Sequence, residues 1–212
     1  MIHAIVAMEV VLHQATKSFG REHVLRGVSH TFLSGSRTAL LGPNGSGKST
    51  LLQIVAGALA PTSGIVTHRL TGETVDPEAV YRHIAISAPY LGLYEDLSLS
   101  ETIGFHRRFK PLLPGIGVDE LARTAYLHHD LEKPVRHFSS GMKQRLKLAL
   151  AILSDTPLLL LDEPCSNLDG RAIEWYGELL RQHLGVRTLL VASNRQASET
   201  AMCQAELDLE HQ

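Results

Sequence analysis

The stretch GPNGSGKST, Gly42 to Thr50, decides how this chain is read. It satisfies GxxxxGK[ST] with Gly42, Gly47, Lys48 and Ser49. A β-like run from Arg37 to Leu41 leads into it, and a helical pattern from Lys48 to about Ala58 leads out. Strand, glycine-rich turn and helix N-terminus in that order converge backbone N–H groups and the positive helix end on one anion site. Glycine is required because the backbone must approach phosphate more closely than a Cβ allows. The reading makes Gly42, Pro43, Asn44, Gly45, Ser46, Gly47, Lys48, Ser49 and Thr50 the cradle of a nucleotide's phosphates. Lys48 supplies a compact cation for the β- and γ-phosphates, and the Ser49 hydroxyl is a ligand for Mg²⁺.

Outward from this loop, strand and helix signals alternate, which is the pattern of an α/β fold with a mainly parallel sheet. Short β-like runs at Glu9 to Leu12 and Val28 to Leu33 precede the loop. Downstream lies LLLLDEP, Leu158 to Pro164, a fully apolar strand with two carboxylates at its C-terminal end, where open α/β sheets bind ligands. Asp162 is placed to hold Mg²⁺ through water, and Glu163 to orient or deprotonate an attacking water. Over residues 87 to 137, Pro89, Pro111, Pro114 and Pro134 interrupt short helical pieces. This reads as an inserted, mostly helical subdomain, carried by the following helix to about residue 150.

Composition narrows the class. With 212 residues, 44% hydrophobic and 20% charged, the chain belongs with ordinary globular proteins, and no linker divides it into two domains. Twenty Lys and Arg against 22 Asp and Glu give a net charge of −2, so no nucleic-acid partner is expected. Cys165 and Cys203 form neither a CxxC pair nor a disulfide framework, which suits a reducing, cytoplasmic setting. The N-terminal MIHAIVAMEVVL carries no positive leader, and runs such as Leu148 to Leu153 are far short of a membrane span.

A further motif is FSSGMKQRLKLALAIL, Phe138 to Leu153, where a serine- and glycine-bearing turn opens a helix with Leu146, Leu150 and Leu153 on one face. Here the chain resembles the ATP-binding-cassette (ABC) ATPases, whose LSGGQ signature lies over Phe138 to Met142. The resemblance covers nearly all of the sequence and includes SNLD, Ser166 to Asp169, at the family's D-loop. It implies a P-loop NTPase with a RecA-like, mainly parallel core sheet, an N-terminal antiparallel β subdomain and an inserted helical subdomain. It also implies a head-to-tail homodimer, or a dimer with a related cassette, that sandwiches two ATP molecules. Ser139 and Gly141 then contact the γ-phosphate in trans, and Phe19 in KSFGREHVL falls where the family stacks an aromatic on adenine. ATP closes the dimer and hydrolysis reopens it, working an attached integral-membrane permease from the cytoplasmic face of the membrane.

Three departures from the family pattern bear on rate. Ser140 replaces a glycine and Met142 a glutamine in the signature. Pro89 falls near the position of a glutamine that touches Mg²⁺, water and permease. Asn194, after Thr188 to Ala192, aligns with the switch histidine; it can donate a hydrogen bond to the γ-phosphate but cannot be protonated. The expectation is a working but slow Mg-dependent ATPase with Lys48, Glu163 and Asn194 in the catalytic roles.

Other residues read as ordinary. His128 and His129 lack metal-ligand spacing and suit a polar helix end; Arg107 to Lys110 reads as a solvated basic face; Trp175 and Tyr176 read as packing residues. No NKxD follows a suitable strand, so ATP is favoured over GTP. A stand-alone transporter subunit is the leading function, with a soluble machine such as iron–sulfur assembly, or a weakly hydrolysing nucleotide-binding regulator, as alternatives.

Overall fold

The computed structural model describes residues 6 to 210. The first five residues of the apolar N-terminal stretch, read above as carrying no leader, lie outside the described residues. Two sheets form the framework. In one, β1 (Met8–Phe19) lies between β2 (Glu22–Phe32) and β4 (Ser63–Leu70), all antiparallel, with the two-residue β5 (Glu73–Thr74) at the edge. The other is parallel throughout, in the order β6 (Ile84–Ser87), β7 (Leu158–Asp162), β8 (Thr188–Ser193), β3 (Arg37–Leu41), β9 (Ala205–Asp208). A parallel sheet needs crossovers, and these place α1 (Lys48–Val55) after β3 and α5 (Gly170–His183) after β7. Between β6 and β7 run α2 (Leu99–Phe109), α3 (Val118–Thr124) and α4 (Ser140–Ile152), which is the expected helical insertion.

β1 runs seven residues beyond its expected end at Leu12. The two-residue alternation that marks a strand slips at Gln14, which takes φ +49° in a bulge, so Ala15 faces the core one place out of step. α1 stops at Val55, three residues early, because Gly57 turns the chain at φ +68°. Every residue of β7 and β8 is buried, as expected of strands covered on both faces. The four leucines of β7 each contribute about 1.5–3 kcal/mol on burial.

One buried cluster joins α2, α3, α4 and α5 to β7 and β8, with Trp175 and Tyr176 packed in it as read from sequence. Trp175 donates its indole N–H to Thr124 O at 2.7 Å. Arg107 and Arg108 are exposed, as a solvated basic face requires, whereas Lys110 folds back onto the Tyr81 carbonyl. Residues 128 to 130 form a 3-10 turn rather than the end of an α-helix.

Candidate functional site

The sheet register brings the candidate residues together. Asp162 at the end of β7 is paired with Ala192 of β8, and Leu41 at the end of β3 with Ser193. The loops that leave β3, β7 and β8 therefore begin side by side. They carry Gly42 to Gly47, Glu163 and Asn194 respectively. Gly42 has φ +146°, and a Cβ there would sit 2.5 Å from Ser46 Oγ; Gly47 has φ +93° with Leu25 Cδ2 at 2.8 Å from the same imagined atom. Only glycine closes this turn without displacing its neighbours. Gly47 caps α1, whose first residue is Lys48. A cavity of about 260 Å³ lies over the turn, lined by Asn44, Gly45, Gly47 to Thr50, Glu163 and, from β2, Glu22 and Val24.

Lys48 is buried and donates all three ammonium protons: to Gly42 O at 2.7 Å, to Pro43 O at 2.9 Å and to Asn194 Oδ1 at 2.7 Å. Burial lowers its pKa, while Glu163, Asp162 and Glu199 offset part of that shift. Asn194 uses its other end as well. Its amide donates to Asn44 Oδ1 at 2.6 Å and to Glu163 Oε1 at 3.1 Å. One carboxamide thus links the phosphate loop to the acid that follows β7. Glu163 stands at φ +44°, a costly conformation for a non-glycine residue, and its own N–H is fixed on Ala192 O at 3.0 Å.

Asp162 is 1% exposed, and both its carboxylate oxygens lack a completed hydrogen bond. Burial raises its pKa; the nearby Ser49 hydroxyl and Lys48 ammonium lower it, and Glu163 raises it further. A buried carboxylate left without partners, with a hydroxyl facing it, is a hard-oxygen donor set that fits Mg²⁺. Ser46 Oγ is likewise buried and unpartnered within the turn.

The remaining candidates lie around this centre. Phe19 is half exposed at the end of β1, paired with Glu22 across the hairpin and with Lys17 Nζ 5.2 Å from its ring, and it is not part of the core. Ser139 is the N-cap of α4, its hydroxyl accepting from Met142 N at 3.2 Å. Gly141 sits where a Cβ would lie 3.3 Å from Asn167 O, so the SNLD turn packs against the signature. No hydrogen bond joins Ser139 or Gly141 to residues 42 to 50 among the described residues. Pro89 is exposed, and beside it Tyr90 has its hydroxyl pushed up to about 12 by burial and by Asp162. Sequence reasoning missed Glu199, an acid in no motif that is 3% exposed beneath the site.

The family model described as "ABC transporter" matches residues 25–166. The cytochrome c biogenesis ATP-binding export protein CcmA of Rhodopseudomonas palustris is 37% identical over 180 residues, covering 82% of this chain and 84% of that protein. The Nod factor export ATP-binding protein I of Rhizobium meliloti is 32% identical over 207 residues, which are 95% of this chain and 61% of the relative's length. A solved structure of an ATP-binding subunit of an ABC transporter superposes with a TM-score of 0.80 at 26% identity, over 95% of this chain and 85% of that one. A phosphate loop, a buried aspartate and a serine-capped helix in this order, together with these matches, place the chain in the ABC transporter family, among its ATP-binding proteins.

Proposed function

We propose that this chain acts as a single ATPase domain that powers an ABC transporter through ATP-driven closure of a head-to-tail dimer. The carrying observation is that Asn194 bonds both Lys48 and Glu163, while the neighbouring Asp162 carboxylate is buried and unpartnered. The Gly42 to Thr50 loop cradles the phosphates, and Phe19 stacks on the adenine. Lys48 exchanges its bond to Asn194 for phosphate oxygens, which a charge-assisted contact makes favourable. Ser49 and, through water, Asp162 would hold Mg²⁺, which when bound would supply positive charge against the phosphates. Glu163 holds the attacking water and takes its proton, and Asn194 donates to the γ-phosphate. Ser139 and Gly141 complete the site of the second copy, or of a related cassette.

No helix among the described residues is long and apolar enough to cross a membrane. The transport path is assigned to an integral-membrane permease, with this chain at its cytoplasmic face. Relatives named as ATP-binding proteins of export systems, and one named for zinc import, support that assignment.

Two measurements test the reading. Lys48→Ala should weaken ATP binding about 10- to 100-fold, the effect of losing hydrogen bonds from a charged group; unchanged affinity overturns the site. Glu163→Gln should bind ATP, fail to cleave it, and elute as a dimer with ATP and Mg²⁺. Only monomer at high protein concentration would overturn the dimer.

A further inference from the structure

Glu199 lies on α6 (Ala197–Thr200), outside every motif discussed above, and it is buried to 3% exposure. Its carboxylate bridges two turns. Oε1 accepts from Cys165 N at 3.1 Å, two residues beyond Glu163, and Oε2 accepts from Ser193 Oγ at 2.5 Å, one residue before Asn194. Each anchor is tied in further. Ser193 Oγ also accepts from Gln196 N at 3.1 Å, and the carbonyl before Cys165, that of Pro164, accepts from Gln144 Nε2 at 2.9 Å. The Glu199 carbonyl accepts from Tyr176 Oη at 3.2 Å, which fixes the short helix to α5.

The two bridged turns are strained. Glu163 at φ +44° and Asn167 at φ +61° lie on one, and Arg195 at φ +62° lies on the other. Non-glycine residues are disfavoured in this region and persist only where surrounding contacts over-determine them. Glu199 supplies two of those contacts with one group. A carboxylate is suited to the task because it accepts at both oxygens and both partners here are donors.

We propose that Glu199 is a positioning residue for hydrolysis: it fixes the turn after β7 against the end of β8 and so sets the Glu163–Asn194 pair that faces the γ-phosphate. The inference rests on the ATPase reading above. Both Glu199 carboxylate oxygens are taken by protein donors, and the residue is buried. It acts on rate through the placement of Glu163, where a displacement of about 1 Å can cost on the order of 10²-fold. ATP affinity, which depends chiefly on Lys48 and the loop, changes far less than the rate.

The test compares the full chain with Glu199→Ala, Glu199→Gln and Glu163→Gln, measuring kcat, ATP Kd and Tm for each. Glu199→Ala should lower kcat at least tenfold with Kd within about threefold of the parent. Glu199→Gln, which keeps an acceptor for Cys165 N and an amide that the Ser193 oxygen can accept from, should restore kcat to within about threefold of the parent. A Glu199→Ala protein with a lowered Tm but parental kcat shows a purely structural role and overturns the proposal. So does a Glu199→Gln protein as slow as Glu199→Ala. Should Glu199→Ala fail to fold, Ser193→Ala removes one arm of the bridge, and a kcat within twofold of the parent then overturns it. Glu163→Gln separates the two levels: hydrolysis that survives it refutes the site reading, whereas loss there with parental Glu199→Ala refutes this inference alone.

Discussion

Asn194 Oδ1 lies 2.7 Å from Lys48 Nζ, and with Gly42 O and Pro43 O it takes the last of the three ammonium protons. The lysine of the phosphate loop is therefore fully satisfied before any nucleotide arrives. A phosphate oxygen must displace the carboxamide to reach it. The same carboxamide is tied to Glu163, so displacement moves the group next to the acid as well.

Removing this competitor has opposite effects on binding and turnover. Asn194→Ala frees one proton of Lys48, and relief of one hydrogen-bond exchange should tighten ATP binding by about threefold. It also deletes a donor to the γ-phosphate, so kcat should fall about tenfold or more. Calorimetric Kd and steady-state kcat check both. An unchanged Kd would show that the contact with Lys48 offers no resistance to phosphate.

A chargeable donor should act the other way on rate. Asn194→His places an imidazole that can carry a proton into a transition state with charge spread over the γ-phosphoryl oxygens, and kcat should rise about tenfold or more while ATP affinity changes by no more than about threefold, the effect of losing the Oδ1 contact with Lys48. Combining it with Pro89→Gln should add to the gain, because Pro89 has no side-chain polar group to orient water. A parent already as fast as the double variant would mean that another group holds the phosphate.

Gly47→Ala tests the turn itself. The added Cβ would lie 2.8 Å from Leu25 Cδ2 at φ +93°, on the residue that caps α1. Strain of this kind costs about 1–3 kcal/mol. The expected result is a Tm lowered by several degrees together with ATP binding weakened about tenfold, since the α1 N-terminus moves from its anion. Parental values of both would contradict the close packing of loop and hairpin.

His106 gives a pH dependence with a definite sign. Burial, and then Lys110, lower its pKa to about 4, and its Nε2 lies 2.8 Å from Ser154 Oγ. The Ser154 hydroxyl donates to Leu150 O at 2.6 Å, so the imidazole donates to Ser154 and stays neutral. The folded pKa is below the unfolded value of about 6.5, so the unfolded chain binds the proton more readily. Stability is fully present above about pH 6.5 and is lost as pH falls toward 4. Between pH 7 and pH 5 this histidine should cost about 2 kcal/mol. Urea midpoints at the two pH values, for the parent and His106→Gln, measure it; an equal loss in both would refute the assignment.

The sequence by itself determined the phosphate loop, the buried leucine strand with its two acids, the serine-capped helix and their order along the chain. These depend on local chemistry. Glycines must stand where the backbone turns tightly, and a strand covered on both faces must be apolar throughout. Asn194 and Pro89 could be singled out only by aligning this chain with a pattern. What each does depends on neighbours that the chain order does not name. The tertiary structure decided that Asn194 closes onto Lys48, because that contact spans residues 146 positions apart and exists only through the β3–β8 register. It also decided that Glu199 holds the acid's turn in place, since one buried acid on a four-residue helix has no periodicity or spacing to announce it. The extra length of β1 was hidden for a related reason. A single bulge at Gln14 shifts the alternation, and only pairing with β2 and β4 shows that the strand continues.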